Sequence, residues 1–424
     1  MDCIVTKVVW ALMPAVLCCG VVEAEGLEID MAENYGQSVR ASADGFPLIV
    51  LRGTHEERGR AHGFLAAREI VRTLDAMAGA INAGGDSGEG PTPWAAACEM
   101  VDRFAFPGRF LTEVGGMLAG IEEALPDAAD RTLNATGAPL TLEDLKVLQC
   151  GDVLELMQCS QFSAWGHLTP GGEIVIGRNW DYPPIFPFDT YMIVAVDPAE
   201  PGLQRTIDAL WFGMIGAGFA CLNESGVYIS GNDGGREDAS AVEDPCPAAL
   251  AIRMAAETAA PADPLGPVRE MIDQRTALHL LFHIVAPPAS PGAAARAWIF
   301  EHRPGAEGHF EERLRGTGQT FPEAVFVTNT PMIGKSDDES GCERYEKIRD
   351  ALSAAGGDNR IDLAAAKAIL DSVSVSERDR TTQYSGVIFP QGMEMHIAVS
   401  RAPAQSATKQ PYTRVRWADV WAVE

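Results

Sequence analysis

Cys159 marks the place where this chain changes character, and that change limits what it can fold into. Ahead of it apolar residues recur at helical spacing. Over 54–80, Thr54 can cap a helix with Glu57 three residues on, and Ala61, Phe64, Leu65, Ile70 and Leu74 form one apolar face. A Gly/Pro/Ser loop at 84–93 leads to helical patterns over 94–104 and 110–125. Another opens at Leu140-Thr141, with Asp144 completing a capping pattern, and runs toward Met157. From Cys159 onward strand-like runs dominate, at 159–167, 173–179, 191–196, 207–210 and 227–230, and again at 296–301, 324–328, 384–389 and 394–399. Helices fall between them at 248–259, 268–283, 342–355 and 363–370, and loops at 287–292 and 303–318. Strands grouped around two helical blocks predict an α+β layered fold, with a mostly helical segment over 25–158 and a strand-rich part over 159–424.

The junction itself carries chemistry. From Met157 to Asp181 the chain reads MQCSQFSAWGHLTPGGEIVIGRNWD, a strand, a Pro-Gly turn and a second strand ending in Gly-Arg-Asn-Trp-Asp. That arrangement sets the Cys159 thiol against the Arg178 guanidinium and the Asp181 carboxylate. A thiol of ordinary pKa, about 8.5, is mostly protonated at neutral pH, and a fixed arginine favours the thiolate. If Cys159 becomes a chain terminus, its freed α-amine, ordinarily near pKa 7.7 to 8.0, acts as general base toward its own side chain. Asp181 then hydrogen-bonds the N–H beside the sulfur. No histidine partner is needed.

The segment resembles the N-terminal nucleophile hydrolases, in the branch of the isopenicillin N acyltransferase-like cysteine enzymes (peptidase C45-like), with acid ceramidase-like amidases and bile salt hydrolases as relatives. The resemblance rests on Cys159, Ser160, Trp165 and Gly166, then Gly177-Arg178-Asn179-Trp180-Asp181. It continues in order through Asn223-Glu224-Ser225-Gly226-Val227, Asn232, Thr328-Asn329, Arg344-Tyr345 and the stretch from Ser385 to Pro390, and spans about Phe46 to Trp417. Gln158, Pro331 and Val227 depart from the usual residues at their positions. The resemblance implies a four-layer αββα sandwich with a helical N-terminal prosegment. It implies self-cleavage between Gln158 and Cys159 into two chains that stay associated as a heterodimer. Catalysis would lie with Cys159, Arg178, Asp181, Asn232 and Asn329, the two asparagines donating to the oxyanion. Arg344 and Trp180 would contact a small acyl-amide substrate, and neither a metal nor an organic cofactor would be required.

Composition bounds the remainder. With 424 residues, 46% hydrophobic and 22% charged, the chain can bury a large core. A net charge of −26 and a pI near 4.6 argue against nucleic acid and anionic membrane surfaces as partners. Residues 1–24 hold Lys7, an apolar run from Val8 to Val22 interrupted by Pro14, and Val22-Glu23-Ala24. They read as a signal peptide for a secreted or periplasmic protein, the run being shorter than the ~20 apolar residues of a membrane span. Past it remain Cys98, Cys150, Cys159, Cys221, Cys246 and Cys342. With Cys159 free, an odd number is left, so at least one more stays unpaired.

Other constellations compete. Cys150 also follows a glutamine but sits in a helical pattern without a downstream Gly-Arg-Asn-x-Asp, and is expected in the core. His279 and His283, four apart, would share a helix face, with no third metal ligand evident. Gly213-x-x-Gly216-x-Gly218 has Cys221 where a dinucleotide loop needs its third glycine, and instead indicates tight packing near the pocket. The expected activity is hydrolysis of a linear amide through a Cys159 thioester. Acyl transfer to an amine, or an uncleaved binding protein of the same fold, are the alternatives.

Overall fold

Strands from both sides of Cys159 meet in one sheet. The computed structural model describes residues 29–84, 92–150, 158–218, 220–235, 244–272, 279–290, 293, 295–302, 321–332, 335 and 339–423. Residues 1–24 and the run into Met157 lie outside these, as does the loop read at 303–318. Among the described residues, three N-terminal strands open a nine-stranded sheet: β1 (Ile29–Tyr35), β2 (Ser38–Ala43) and β3 (Phe46–Gly53). It continues through β8 (Tyr191–Pro198), β9 (Thr206–Trp211), β10 (Cys221–Asn223), β11 (Tyr228–Asp233), β12 (Leu280–Ala286) and β13 (Arg296–His302). Its one parallel pairing joins β3 to β8, from Leu48 opposite Ile193 to Gly53 opposite Pro198. A six-stranded sheet has the order β14 (Ala324–Val327), β6 (Gln158–Ala164), β7 (Val175–Tyr182), β15 (Thr381–Phe389), β16 (Glu394–Val399), β17 (Thr413–Arg416). The short strands β4 (Thr132–Leu133) and β5 (Ala138–Pro139) pair separately.

Helices close both outer faces. Against the larger sheet lie α1 (His55–Leu65) and α6 (Ala248–Ala256); α4 (Gly108–Ala124) packs on α1, α2 (Ala67–Gly84), α3 (Pro93–Val101) and α5 (Leu142–Gln149) pack among these helices, and α7 (Gly266–Ile272) packs on α6. On the smaller sheet α8 (Glu343–Ser353) and α9 (Leu363–Ser372) bury Tyr345, Ile348 and Leu370 against Phe162, Phe326 and Val387. The layers run helix, sheet, sheet, helix, which is the α+β architecture the sequence indicated. The capping signals hold too: Thr54 with Glu57, and Thr141 with Asp144, form reciprocal capping boxes at α1 and α5.

One expectation is corrected. The 268–283 helix does not form as one element, because Leu280-Leu-Phe-His-Ile-Val-Ala is the fully buried strand β12 between β11 and β13. A continuous apolar run of that length suits a strand covered on both faces as well as it suits a helix. Among the described residues ahead of Cys159 helices predominate, and β1 to β3 lie in the stretch before the first of them.

The helical layer is held from within by charge. Glu113 on α4 is fully buried, with Oε1 at 2.8 Å from Arg253 Nη1 on α6, and Oε2 at 3.0 Å from Arg253 Nη2 and 2.6 Å from His55 Nδ1 on α1. Arg253 also reaches Glu257 at 2.7 Å and the Ile215 carbonyl at 2.6 Å. Burial alone would raise the Glu113 pKa, but Arg253, His55 and Arg58 overcome it and hold the carboxyl at about 2. This depth is reached because α1 and α4 touch backbone to backbone. A Cβ at Gly59 or Gly63, or at Gly116 or Gly120 opposite, would strike a main-chain carbonyl of the other helix.

Candidate active site

Strand alternation sorts the residues around Cys159. On β6, Phe162 and Ala164 face the outer helices, while Gln161 and Ser163 contact the opposite sheet. On β7, Arg178 lies across from Gln161, and Cys159 across from Trp180. Arg178 is fully buried: Nη2 sits 3.8 Å from Cys159 Sγ and donates to the Gly231 carbonyl at 3.0 Å. Nη1 donates to Ser230 Oγ at 2.7 Å and Asn232 Oδ1 at 2.9 Å. The Arg178 guanidinium also stands 5.6 Å from the centre of the Trp180 ring.

The backbone of Cys159 is gripped by side chains instead of a neighbouring strand. β14 pairs with β6 only as far as Val327 opposite Gln161. Beyond that point Asn329 Oδ1 accepts from the Cys159 N–H at 2.5 Å, and Arg344 Nη1, from the first turn of α8, donates to the Cys159 carbonyl at 2.9 Å. The same Nη1 lies 3.1 Å from both Ser160 Oγ and Asp181 Oδ2, and Nη2 donates to Asn329 Oδ1 at 3.1 Å. Asp181 is completed by Thr382, whose hydroxyl donates to Oδ1 at 2.5 Å.

The sequence-predicted residues therefore assemble, with differences in detail. Arg178 and Asp181 point apart and take different partners. Three apart on a strand, they leave opposite faces of β7, Arg178 toward the thiol and Asp181 toward Arg344. Arg344 is more central than its surroundings of Glu343 and Glu346 indicated, and its side chain is only 18% exposed. Asn232 accepts from Gln161 Nε2 at 2.5 Å and donates through Nδ2 to the Thr328 carbonyl at 3.1 Å. Asn329 Nδ2 donates to the Asp233 carbonyl at 2.5 Å. Cys150 is buried at the end of α5, and among the described residues no cysteine forms a disulfide.

Burial also changes the thiol. The expectation that Arg178 lowers its pKa is met in direction, but loss of solvent outweighs the guanidinium and pushes Cys159 up to about 11. Burial likewise raises Asp181 to about 6, against the opposing pull of Arg344 and Thr382. A buried neutral network went unread in the sequence. Gln161 Oε1 accepts from Ser230 Oγ at 2.8 Å and Tyr228 OH at 3.0 Å, and lies 3.1 Å from His283 Nδ1. His283 Nε2 in turn lies 2.8 Å from Ser163 Oγ. Burial and then Arg178 lower His283 to about 3, so its ring is neutral. The available signal was the position of Gln161, two residues from Cys159 on the same strand.

Beside the thiol's arginine a narrow cavity of about 30 Å3 is lined by Trp180, Trp211, Met214, Gly231, Asn232 and Ile252, among others. Trp180 and Trp211 meet with ring centres 5.5 Å apart, and Gly218 of the glycine-rich run forms part of the wall. A larger hollow of about 360 Å3, bounded by Phe46, Phe188, Tyr191 and Arg401, touches none of these reactive groups.

No family model matches the sequence, and no curated protein does. Among solved structures the chain is similar to a mutant of the conjugated bile acid hydrolase from Clostridium perfringens, 12% identical, covering 61% of this chain and 92% of that one at a TM-score of 0.38. A second variant of that enzyme is 11% identical over 61% and 92%, at 0.40. Penicillin V acylase from Agrobacterium tumefaciens is 14% identical over 58% and 84%, at 0.36. Likenesses this loose do not assign an activity.

Proposed function

We propose that this chain is a self-activating thiol hydrolase of linear amides, with Cys159 as its nucleophile. The observation that carries the reading is the double hold on the Cys159 main chain, N–H to Asn329 and carbonyl to Arg344, beside a thiol facing a buried arginine. A structural cysteine in a strand needs none of these groups, and a residue whose own nitrogen must become a base needs all of them. Cys159 Sγ attacks the Gln158 carbonyl. The C–N bond breaks, the thiol proton passes to the departing nitrogen, and a thioester forms. Water hydrolyses that ester, leaving a carboxylate on Gln158 and a free amine on Cys159. With the thiol held near 11, a proton acceptor on the same residue is what makes it reactive near neutrality, because the amine takes its proton. The thiolate, steadied by Arg178, then attacks a substrate amide, and the side-chain amides of Asn232 and Asn329 serve the oxyanion. One such donor contributes about 3 to 4 kcal/mol in comparable sites.

Water is the acceptor in this reading, since an exported enzyme, as residues 1–24 suggest, has no acyl-coenzyme A supply. The transferase alternative needs an amine bound close enough to outcompete water. Intact mass of the purified protein tests activation: chains corresponding to 25–158 and 159–424 are expected, and a single uncleaved chain after prolonged incubation overturns the reading in favour of a binding protein. Titrating a free amine into an acyl-anilide reaction tests the acceptor, with transfer product dominating at low amine as the result that reverses it.

A further inference from the structure

Helix α6 comes close enough to the site to shape it. A Cβ at Gly216 would stand 2.5 Å from Ala249 Cβ, and the Ala217 N–H donates to the Ala249 carbonyl at 2.8 Å. One turn on, Ile252 Cδ1 rests against β11, 2.8 Å from where a Cβ on Gly231 would be and 3.7 Å from the same position on Gly218. Gly231 is the residue whose carbonyl receives Arg178 Nη2, the nitrogen nearest Cys159 Sγ. The terminal methyl of one isoleucine thus lines the cavity whose wall also includes Gly231, which receives Arg178, and Trp180, the strand partner of Cys159. It cannot readily withdraw, because the next residue, Arg253, is locked to Glu113 and to the Ile215 carbonyl.

We infer that Ile252 sets the length of acyl group this enzyme accepts, restricting it to short, uncharged, apolar acyl chains. The inference deepens the amide-hydrolase reading and rests on it. Trp180, Trp211, Met214 and Leu280 supply apolar walls, and Asp233 beside them disfavours an acyl group bearing a carboxylate. Ile252→Val removes only the methyl seated on Gly231, and Ile252→Ala opens the space further. Gly218→Ala adds a methyl at ordinary contact distance from Ile252 and narrows the same cavity.

The experiment is kcat/KM for acetyl, butyryl, octanoyl and succinyl p-nitroanilides with the processed enzyme and each variant. The octanoyl-to-butyryl ratio is independent of the fraction of enzyme that is active, so partial misfolding of one variant does not spoil it. Wild type should favour butyryl over both octanoyl and succinyl. The ratio should rise about 10-fold or more in Ile252→Val, since small changes in an apolar pocket are worth that much, rise again in Ile252→Ala, and fall in Gly218→Ala. Wild-type turnover with a ratio unmoved by the variants, or a wild-type preference for octanoyl or succinyl, overturns the inference alone. Turnover of none of the anilides by processed wild type overturns the hydrolase reading as well.

Discussion

Replacing Glu113 by glutamine isolates what the buried charge cage contributes. The amide mimics the protonated acid, so its cost follows from the carboxyl's displacement from an ordinary 4.5 to about 2. At about 1.4 kcal/mol per pKa unit this is about 3 kcal/mol, in line with the ~3 to 5 kcal/mol lost when one member of a buried pair is removed. Because the folded-state value lies below the ordinary one, the contribution is complete well above 4.5 and is lost as pH falls toward 2. Urea unfolding followed by tryptophan fluorescence should show Glu113→Gln about 3 kcal/mol less stable than wild type at about pH 7, and about 2 kcal/mol less stable at about pH 3.5. A loss below about 1 kcal/mol at neutral pH, or one that does not shrink in acid, refutes the reasoning. Glu113 and Arg253 stand on opposite sides of the Gln158–Cys159 bond, so in processed enzyme the same variant should also weaken the hold between the two chains.

Cys159→Ala should abolish both self-cleavage and anilide hydrolysis while Cys150→Ala leaves both, as gel mobility and product release will report; the reverse pattern moves the nucleophile. Arg344→Lys should lower kcat by ~100-fold, because a point cation cannot hold the Cys159 carbonyl, Asp181 and Asn329 together as the guanidinium fork does; a wild-type kcat would remove Arg344 from the site. Ionised Asp181 is the form that pairs with Arg344, so kcat/KM should fall as pH drops through about 6, and Asp181→Asn should remove that limb of the profile.

Much of this was legible in the chain because it is local. The capping boxes at Thr54 and Thr141, and the strand beginning beside Cys159, follow from residues within a few positions of each other. β12 was misread because an apolar run does not reveal its period when both faces are covered. Residues that meet across the sheets were less visible: Gln161 joins Ser230, Tyr228 and His283 only once β6 faces β11 and β12. Arg344 looked like one charge among several on a solvated helix, and its partners come from three separate strands or their ends. The raised thiol pKa was hidden for a related reason, since sequence proximity suggests the arginine but says nothing of how completely water is excluded.

The hold on the Cys159 main chain also fixes a moment in the life of the molecule. Its partners Asn329 and Arg344 lie 170 and 185 residues downstream. At ~5 to 20 residues per second a ribosome needs about 10 to 40 s to supply them after the cysteine has been joined to the chain. Throughout that interval the nucleophile exists without its site. Scission of the kind proposed cannot run on an unfinished chain, so the cut would serve as a record that synthesis and folding have both reached the far side of the molecule.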